Sequence, residues 1–264
     1  MDIITPTIES IDIGGRRLAY ARSGQGSPTV VLETGLGAES AEWAAVEHGV
    51  TAFAHVFRYD RAGRGASDWA PTARDAHAVV DELHGTLRRL GVPAPYLLVG
   101  QSLGGLLMRI FAQRYRSQVA GLVLVDSMHE EQFDVFGPAF PPPTPFDPPE
   151  LASIRRFWTG GWKNPEATAE RIDLVAAIRQ GREVVSLGDL PLHVIVAGSY
   201  LHLPLVPQAH REALQGLWEG LQERLALLSS HATQTLVRSS GHFVQRDSPQ
   251  TVVDAISRMA GQCC

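Results

Sequence analysis

The sequence predicts an α/β protein with a mostly parallel, eight-stranded sheet, helices on both faces and a small helical lid. Three observations carry this expectation. Continuously apolar runs such as Thr29–Leu32 and Gly121–Val125 suit strands buried on both faces of a sheet. Between such runs lie segments with helical spacing, and strands alternating with helices imply a parallel sheet covered on both sides. The alternation breaks at about 128–188, where prolines cluster, and then resumes.

Taken in order, Ile8–Ile13 and Arg16–Ala21 flank Gly14-Gly15 and read as a hairpin. Thr29–Leu32 and Phe53–Tyr59 are the next strands. In Asp75–Leu90, the apolar residues Ala78, Val79, Leu83, Leu87 and Leu90 recur at helical spacing, and the pattern stops at Gly91-Val92-Pro93. Tyr96–Val99 is an apolar strand leading into Gly100-Gln101-Ser102-Leu103-Gly104, after which a helix continues to about Val119. Gly121–Val125 is a further buried strand. Gly137–Glu150 contains seven prolines, so no regular element is expected to run through it. Glu150–Trp158 and Pro165–Gln180 read as lid helices. Strand Leu192–Ala197, helix Pro207–Ser229, strand Thr233–Val237 and helix Pro249–Met259 complete the chain. Residues 1–127 and 189–264 are therefore assigned to the core and 128–188 to the lid.

With 264 residues, one large core plus a small insertion is the expected organisation. A net charge of −5, with no basic block, gives no electrostatic case for nucleic acid or an anionic membrane. No apolar run approaches the ~18 residues of a membrane span. Met1–Pro6 shows neither a basic nor an apolar leader region, so a cytoplasmic protein is expected. Cys263 and Cys264 are the only cysteines, and a frayed tail is the default for them. His129-Glu130-Glu131 resembles the start of a zinc helix motif, but Phe133 stands where the second histidine would fall. No metal or cofactor is expected.

Ser102 is the candidate nucleophile. A Gly-x-Ser-x-Gly turn between a strand and a helix lifts a serine hydroxyl above the sheet, and its tightness requires Gly100 and Gly104 to be small. The helix that follows directs its N-terminal N–H groups and positive dipole end at the serine.

Four motifs in this order resemble the α/β-hydrolase family over nearly the whole chain. They are Thr34-Gly35-Leu36-Gly37, Asp60-Arg61-Ala62-Gly63-Arg64-Gly65-Ala66-Ser67, Gly100-Gln101-Ser102-Leu103-Gly104 and Gly241-His242-Phe243. The resemblance implies His242 as the base that takes the serine proton, in the family's chain order of serine, acid, histidine. It also implies an oxyanion hole formed by the backbone N–H groups of Leu36 and Leu103. Thr34 and Gln101 replace histidines frequent in the family. The Asp60–Ser67 stretch reads as structural, with Asp60 or Arg61 bracing the loops beneath the site.

The acid departs from the family's commonest pattern. After Val194–Gly198, no Asp or Glu occurs in the run from Ser199 to Gln208. Some family members, including one group of haloalkane dehalogenases, carry the acid after the sixth strand. Here that position is Asp126, with Glu130 and Glu131 as alternatives.

A serine nucleophile implies acyl transfer, and hydrolysis of small to medium, largely apolar esters or lactones is the first reading. Cleavage of an amide or carbon–carbon bond, acyl transfer to another acceptor, and a non-catalytic receptor for a small ligand are the alternatives. A small-molecule substrate is the expected partner. Among the lid aromatics, Phe133, Phe136, Trp158 and Trp162 are the candidate substrate-binding residues.

Overall fold

The computed structural model describes residues 6–262. Residues 1–5 and the Cys263-Cys264 pair lie outside the described residues. β1 (Glu9–Asp12) and β2 (Arg17–Ser23) form the expected antiparallel hairpin. The other strands are β3 (Thr29–Glu33), β4 (His55–Tyr59), β5 (Tyr96–Gln101), β6 (Val119–Val125), β7 (Leu192–Ala197) and β8 (Ala232–Val237). β2 pairs antiparallel with β4, and every pairing from β4 to β8 is parallel. The sheet order is β1-β2-β4-β3-β5-β6-β7-β8. The carboxyl ends of β3, β5, β6 and β7 therefore lie side by side, where an open α/β sheet gathers its ligands.

The helices are α1 (Ala44–Val50), α2 (Ala76–Arg89), α3 (Leu103–Arg114), α4 (Gln132–Ala139), α5 (Pro149–Thr159), α6 (Leu174–Gly181), α7 (Gln208–Ala226), α8 (Val244–Asp247) and α9 (Pro249–Ala260). Side chains alternate across each strand, so a fully buried strand feeds two cores. On β5, Leu97 and Val99 join Val46, Val50, Val252 and Ile256 of α1 and α9. Leu98 on the opposite face joins Val79 and Leu83 of α2, Leu106 and Ile110 of α3, and Leu214 of α7. Of the helical spacing in α2, Val79, Leu83 and Leu87 are buried, whereas Ala78 is exposed. Asp75 caps that helix by accepting the Ala78 N–H at 2.8 Å, a contact worth about 1 kcal/mol.

The segment between β6 and β7 departs from expectation in two places. α4 enters the proline-rich stretch and ends at Ala139, with Pro138 inside its last turn. A proline there removes one N–H as the helix ends, so the chain tolerates it. The single helix expected over Pro165–Gln180 is broken into a 3-10 turn at Pro165–Ala167 and then α6. Between them Arg171 adopts φ 51°, and its carbonyl accepts the Arg74 N–H at 3.0 Å while Asp173 N–H donates to the Arg74 carbonyl at 2.8 Å. This pairing, together with burial of Glu170 against Arg61, overrides the local helical pattern. Helix α1 was not expected from the pattern, because seven residues are too few to display a period.

No helix among the described residues is long and apolar enough to cross a membrane.

Candidate active site

β5 ends in a turn that no ordinary backbone allows. Ser102 sits at φ 53°, ψ −121°, directly before the first residue of α3. Holding a non-glycine residue there costs on the order of 1–3 kcal/mol, so the surroundings must enforce it. A Cβ on Gly100 would meet the Gly104 carbonyl oxygen at 2.4 Å, and one on Gly104 would meet that of Glu33 at 2.4 Å. Close backbone approach therefore requires both flanking glycines. The Ser102 N–H donates to the Val125 carbonyl at 3.2 Å, and its own carbonyl accepts the Met128 N–H at 2.9 Å. The serine is thereby fastened to the end of β6.

Asp126 begins the loop after β6, also with positive φ (44°), and is fully buried. Its Oδ2 accepts from His242 Nδ1 at 2.6 Å and from the Ser199 hydroxyl in a short contact. Its Oδ1 accepts the Ala197 N–H at 2.9 Å and the Trp218 Nε1–H at 2.7 Å. These donors replace the water that a buried carboxylate loses. A carboxylate only accepts, so His242 Nδ1 carries the hydrogen, and in the neutral form of the ring Nε2 would keep its lone pair. His242 stands on the loop between β8 and α8, and its carbonyl accepts Gln101 Nε2–H at 3.0 Å. Glu130 and Glu131, the alternative acids, are engaged elsewhere: Arg109 donates to Glu130 at 2.9 Å, and Arg224 binds Glu131 through both nitrogens.

Ser102 and His242 line the same cavity, although no hydrogen bond joins them among the described residues. Such contacts are often loose before substrate binds. Leu36 and Leu103 line that cavity too, and neither backbone N–H donates to a protein acceptor among the described residues. The loop carrying Leu36 lies directly over the serine. A Cβ on Gly35 would stand 3.1 Å from Ser102 Cβ and 2.4 Å from Gln101 Oε1.

The cavity has a volume of about 390 Å³. Of the four aromatics singled out from the sequence, Phe133 and Trp158 reach its wall. Phe136 and Trp162 do not. Phe136 is fully buried and stacks on Tyr200 at 4.5 Å, while Trp162 stacks on the outer side of Phe133 at 4.3 Å. Both support the wall from behind. The sequence reading also missed wall residues from three other places: Ile154 on α5, Leu174 on α6 and Trp218 on α7. Trp218 belongs to the stripe Leu214, Trp218, Leu221, Leu225, whose spacing announces burial but says nothing of its indole bond to Asp126. Burial, and then the charge of Asp126, push the Tyr200 phenol well above its ordinary value, leaving a neutral hydroxyl on the wall.

No cluster of three or more His, Cys, Asp or Glu disposed to hold a metal occurs among the described residues.

A parallel sheet with a strained serine between strand and helix, and a histidine–carboxylate pair at the neighbouring strand ends, defines the α/β-hydrolase class. The sequence pattern of the alpha/beta hydrolase fold family matches residues 28–167, and the chain belongs to that family. The uncharacterized protein YqjL of Bacillus subtilis is 26% identical over 237 residues, which is 89% of this chain and 84% of that protein. An AB hydrolase superfamily protein of Gibberella zeae is 30% identical over 108 residues, 39% of this chain and 34% of that protein. Among solved structures, a thermophilic esterase from Thermogutta terrifontis superposes with a TM-score of 0.64 at 21% identity, covering 97% of this chain and 99% of that one. A meta-cleavage product hydrolase, CumD, gives a TM-score of 0.67 at 18% identity, covering 96% of this chain and 98% of that one. At these identities the structural likeness is one of fold.

Proposed function

We propose that this chain is a serine hydrolase that cleaves small to medium, largely apolar carboxylic esters or lactones through an acyl-enzyme on Ser102. The observation that carries the reading is the 2.6 Å bond from His242 Nδ1 to the buried Asp126, beside a cavity that also exposes Ser102. In this mechanism His242 Nε2 takes the Ser102 proton as Oγ attacks the ester carbonyl. The N–H groups of Leu36 and Leu103 receive the developing oxyanion. His242 then passes its proton to the departing alcohol. A water activated by the same nitrogen attacks the acyl-enzyme, and the carboxylic acid leaves. Asp126 keeps the tautomer correct and stabilises the imidazolium.

The substrate class follows from the wall. Its apolar side chains outnumber its polar ones, and no Lys or Arg among the described residues lines it, which favours neutral, apolar acyl groups. Segment 128–188 supplies Phe133, Ile154, Phe157 and Trp158 to that wall and acts as the lid over the core.

A fluorophosphonate probe followed by peptide mass spectrometry tests the reading. Ser102 should carry the label, and Ser102→Ala should lose nearly all turnover of p-nitrophenyl butyrate while remaining folded. A label on another residue, or an active alanine variant, would overturn it.

A further inference from the structure

In the loop Thr34–Gly37 the Thr34 hydroxyl oxygen accepts from Arg61 at 3.3 Å, and in the proposed mechanism the loop must present one N–H in a set direction. What holds it is a buried ion cluster. The Arg61 guanidinium is fully buried and donates to the carbonyl oxygens of Thr34 at 2.7 Å and Gly35 at 2.6 Å. It also binds Glu33 and, through two nitrogens at 2.5 and 3.0 Å, Glu170. Glu170 comes from the segment between β6 and β7, and its Oε1 accepts the Gly37 N–H at 2.5 Å. Burial works against the charge on Arg61, but the carboxylates of Glu170 and Glu33 outweigh it and leave the guanidinium firmly protonated.

The geometry has a specific consequence for Leu36. The Gly35 carbonyl and the Leu36 N–H belong to one planar trans peptide group, so fixing the oxygen fixes the opposite direction of the N–H. A cationic donor on that oxygen also polarises the amide and makes its N–H a stronger donor. Glu170 holds the next N–H, that of Gly37, away from the site. The Leu36 peptide is thus clamped on both sides, and its N–H is left without a protein acceptor among the described residues.

We propose that Arg61 and Glu170 are positioning residues that orient and polarise the Leu36 N–H for an oxyanion on the substrate. This rests on the acyl-transfer reading of Ser102. It assigns to the segment between β6 and β7 a part in the chemistry, because Glu170 anchors the loop that Arg61 fixes.

The test uses Arg61→Lys, which keeps the positive charge but loses the planar fork that reaches two carbonyls at once. Turnover of p-nitrophenyl butyrate, its KM and inhibition by phenylboronic acid, which forms a tetrahedral adduct on the serine, are measured at one temperature. Removing an oxyanion-hole donor typically costs 10²–10³-fold, and misdirecting one should cost less. The expected result is a fall in kcat of about 10–100-fold, KM within about threefold, and boronate affinity weakened in step with kcat. Arg58→Lys is the control, since Arg58 forms a buried ion pair with Glu47 and donates to the Ser40 hydroxyl, with no hydrogen bond to Thr34–Gly37 among the described residues. It should lower the melting temperature while leaving kcat and boronate affinity unchanged. If Arg61→Lys behaves like Arg58→Lys, Arg61 is structural only and the proposal is overturned. Should Arg61→Lys fail to fold, Glu170→Gln carries the same test, with a smaller parallel loss of kcat and boronate affinity expected and no loss overturning the proposal. Failure of the underlying reading looks different: wild-type turnover would then not depend on Ser102 at all.

Discussion

The loops that follow β6 and β7 lie against each other, and between them they hold one buried carboxylate and the donors that bind it. The β6 loop opens with the carboxylate of Asp126. The β7 loop opens with Gly198-Ser199-Tyr200 and contributes donors: the Ala197 N–H and the Ser199 hydroxyl both bind that carboxylate. The strands pair in register up to Val125 and Ile195, and the Asp126 N–H donates to the Ile195 carbonyl at 2.8 Å. The two loop starts are therefore neighbours in space. In the proposed mechanism, a histidine on the β8 loop needs an acid within reach of Nδ1, and either strand end can supply it. The loop that lacks the acid then supplies hydrogen bonds to its oxygens.

The largest effect should come from removing the carboxylate from the β6 loop. Asp126→Asn keeps size but favours the wrong His242 tautomer, lowering kcat by about 10²–10⁴-fold. Adding Ser199→Asp to that variant places a carboxylate on the β7 loop and should recover at least about tenfold. No recovery, with both variants folded, would show that the two loop ends are not interchangeable. Steady-state kinetics on one aryl ester decide it.

Much of this division was legible in the sequence because it rests on local features. The absence of any acid between Ser199 and Gln208, and the aspartate closing Gly121–Val125, are visible without a structure. The glycines about Ser102 are equally readable, since a tight turn requires them at fixed spacing. Long-range partners were not. Trp218 lies 92 residues from Asp126, and a tryptophan on the buried stripe of a helix looks like packing until its N–H is seen. The break between Pro165 and Gln180 was hidden for a related reason. Local periodicity favours one helix, whereas the buried pairing of Glu170 with Arg61 spans 109 residues and prevails. Phe136 and Phe133 differ by less than one helical turn, yet only one reaches the cavity wall, because sequence marks the apolar face and not which side of it stays open.

Trp218→Phe sharpens the comparison by removing one donor to the acid while keeping an aromatic wall. The Ala197 N–H remains on the same oxygen, so the acid stays buried with three donors instead of four. A fall in kcat of about 3–10-fold is expected, in line with losing part of one hydrogen bond to a charged group. An unchanged kcat would reduce the indole to packing.

Each region also holds a histidine kept neutral by burial, and both should register in stability rather than in turnover. His129 in the β6 loop and His193 on β7 are each pushed down to about 4. Burial is the main cause in both. Arg258 adds to it at His193, whose ring nitrogens contact the Thr233 and Thr235 hydroxyls. Below pH 6.5 the unfolded chain takes up protons that the folded chain does not, so stability falls as pH drops from about 6.5 towards 4. For His193 the loss at pH 5 should be about 1–3 kcal/mol. Urea unfolding at pH 7.5 and pH 5 should show it, and His193→Asn should flatten the difference. An unaltered pH dependence in that variant would mean that the imidazole is charged or solvated in the folded state.

The smallest expected effect asks whether the acid could instead belong further along the β6 loop. Glu131 lies five residues beyond Asp126, and its hydrogen bond with Arg224, followed by that cation's charge, holds its carboxyl below the ordinary range. Both partners are substantially exposed, so water and salt screen the pair. An exposed pair of this kind contributes about 0–1 kcal/mol, and it touches neither His242 nor the cavity wall. Glu131→Gln should therefore leave kcat within about twofold and shift the melting temperature by at most a few degrees. Measured beside Asp126→Asn on the same ester, it separates the two carboxylates cleanly. Collapse of turnover in Glu131→Gln, with near-normal turnover in Asp126→Asn, would move the acid away from the end of β6 and leave the donors of the β7 loop serving a carboxylate with no part in the reaction.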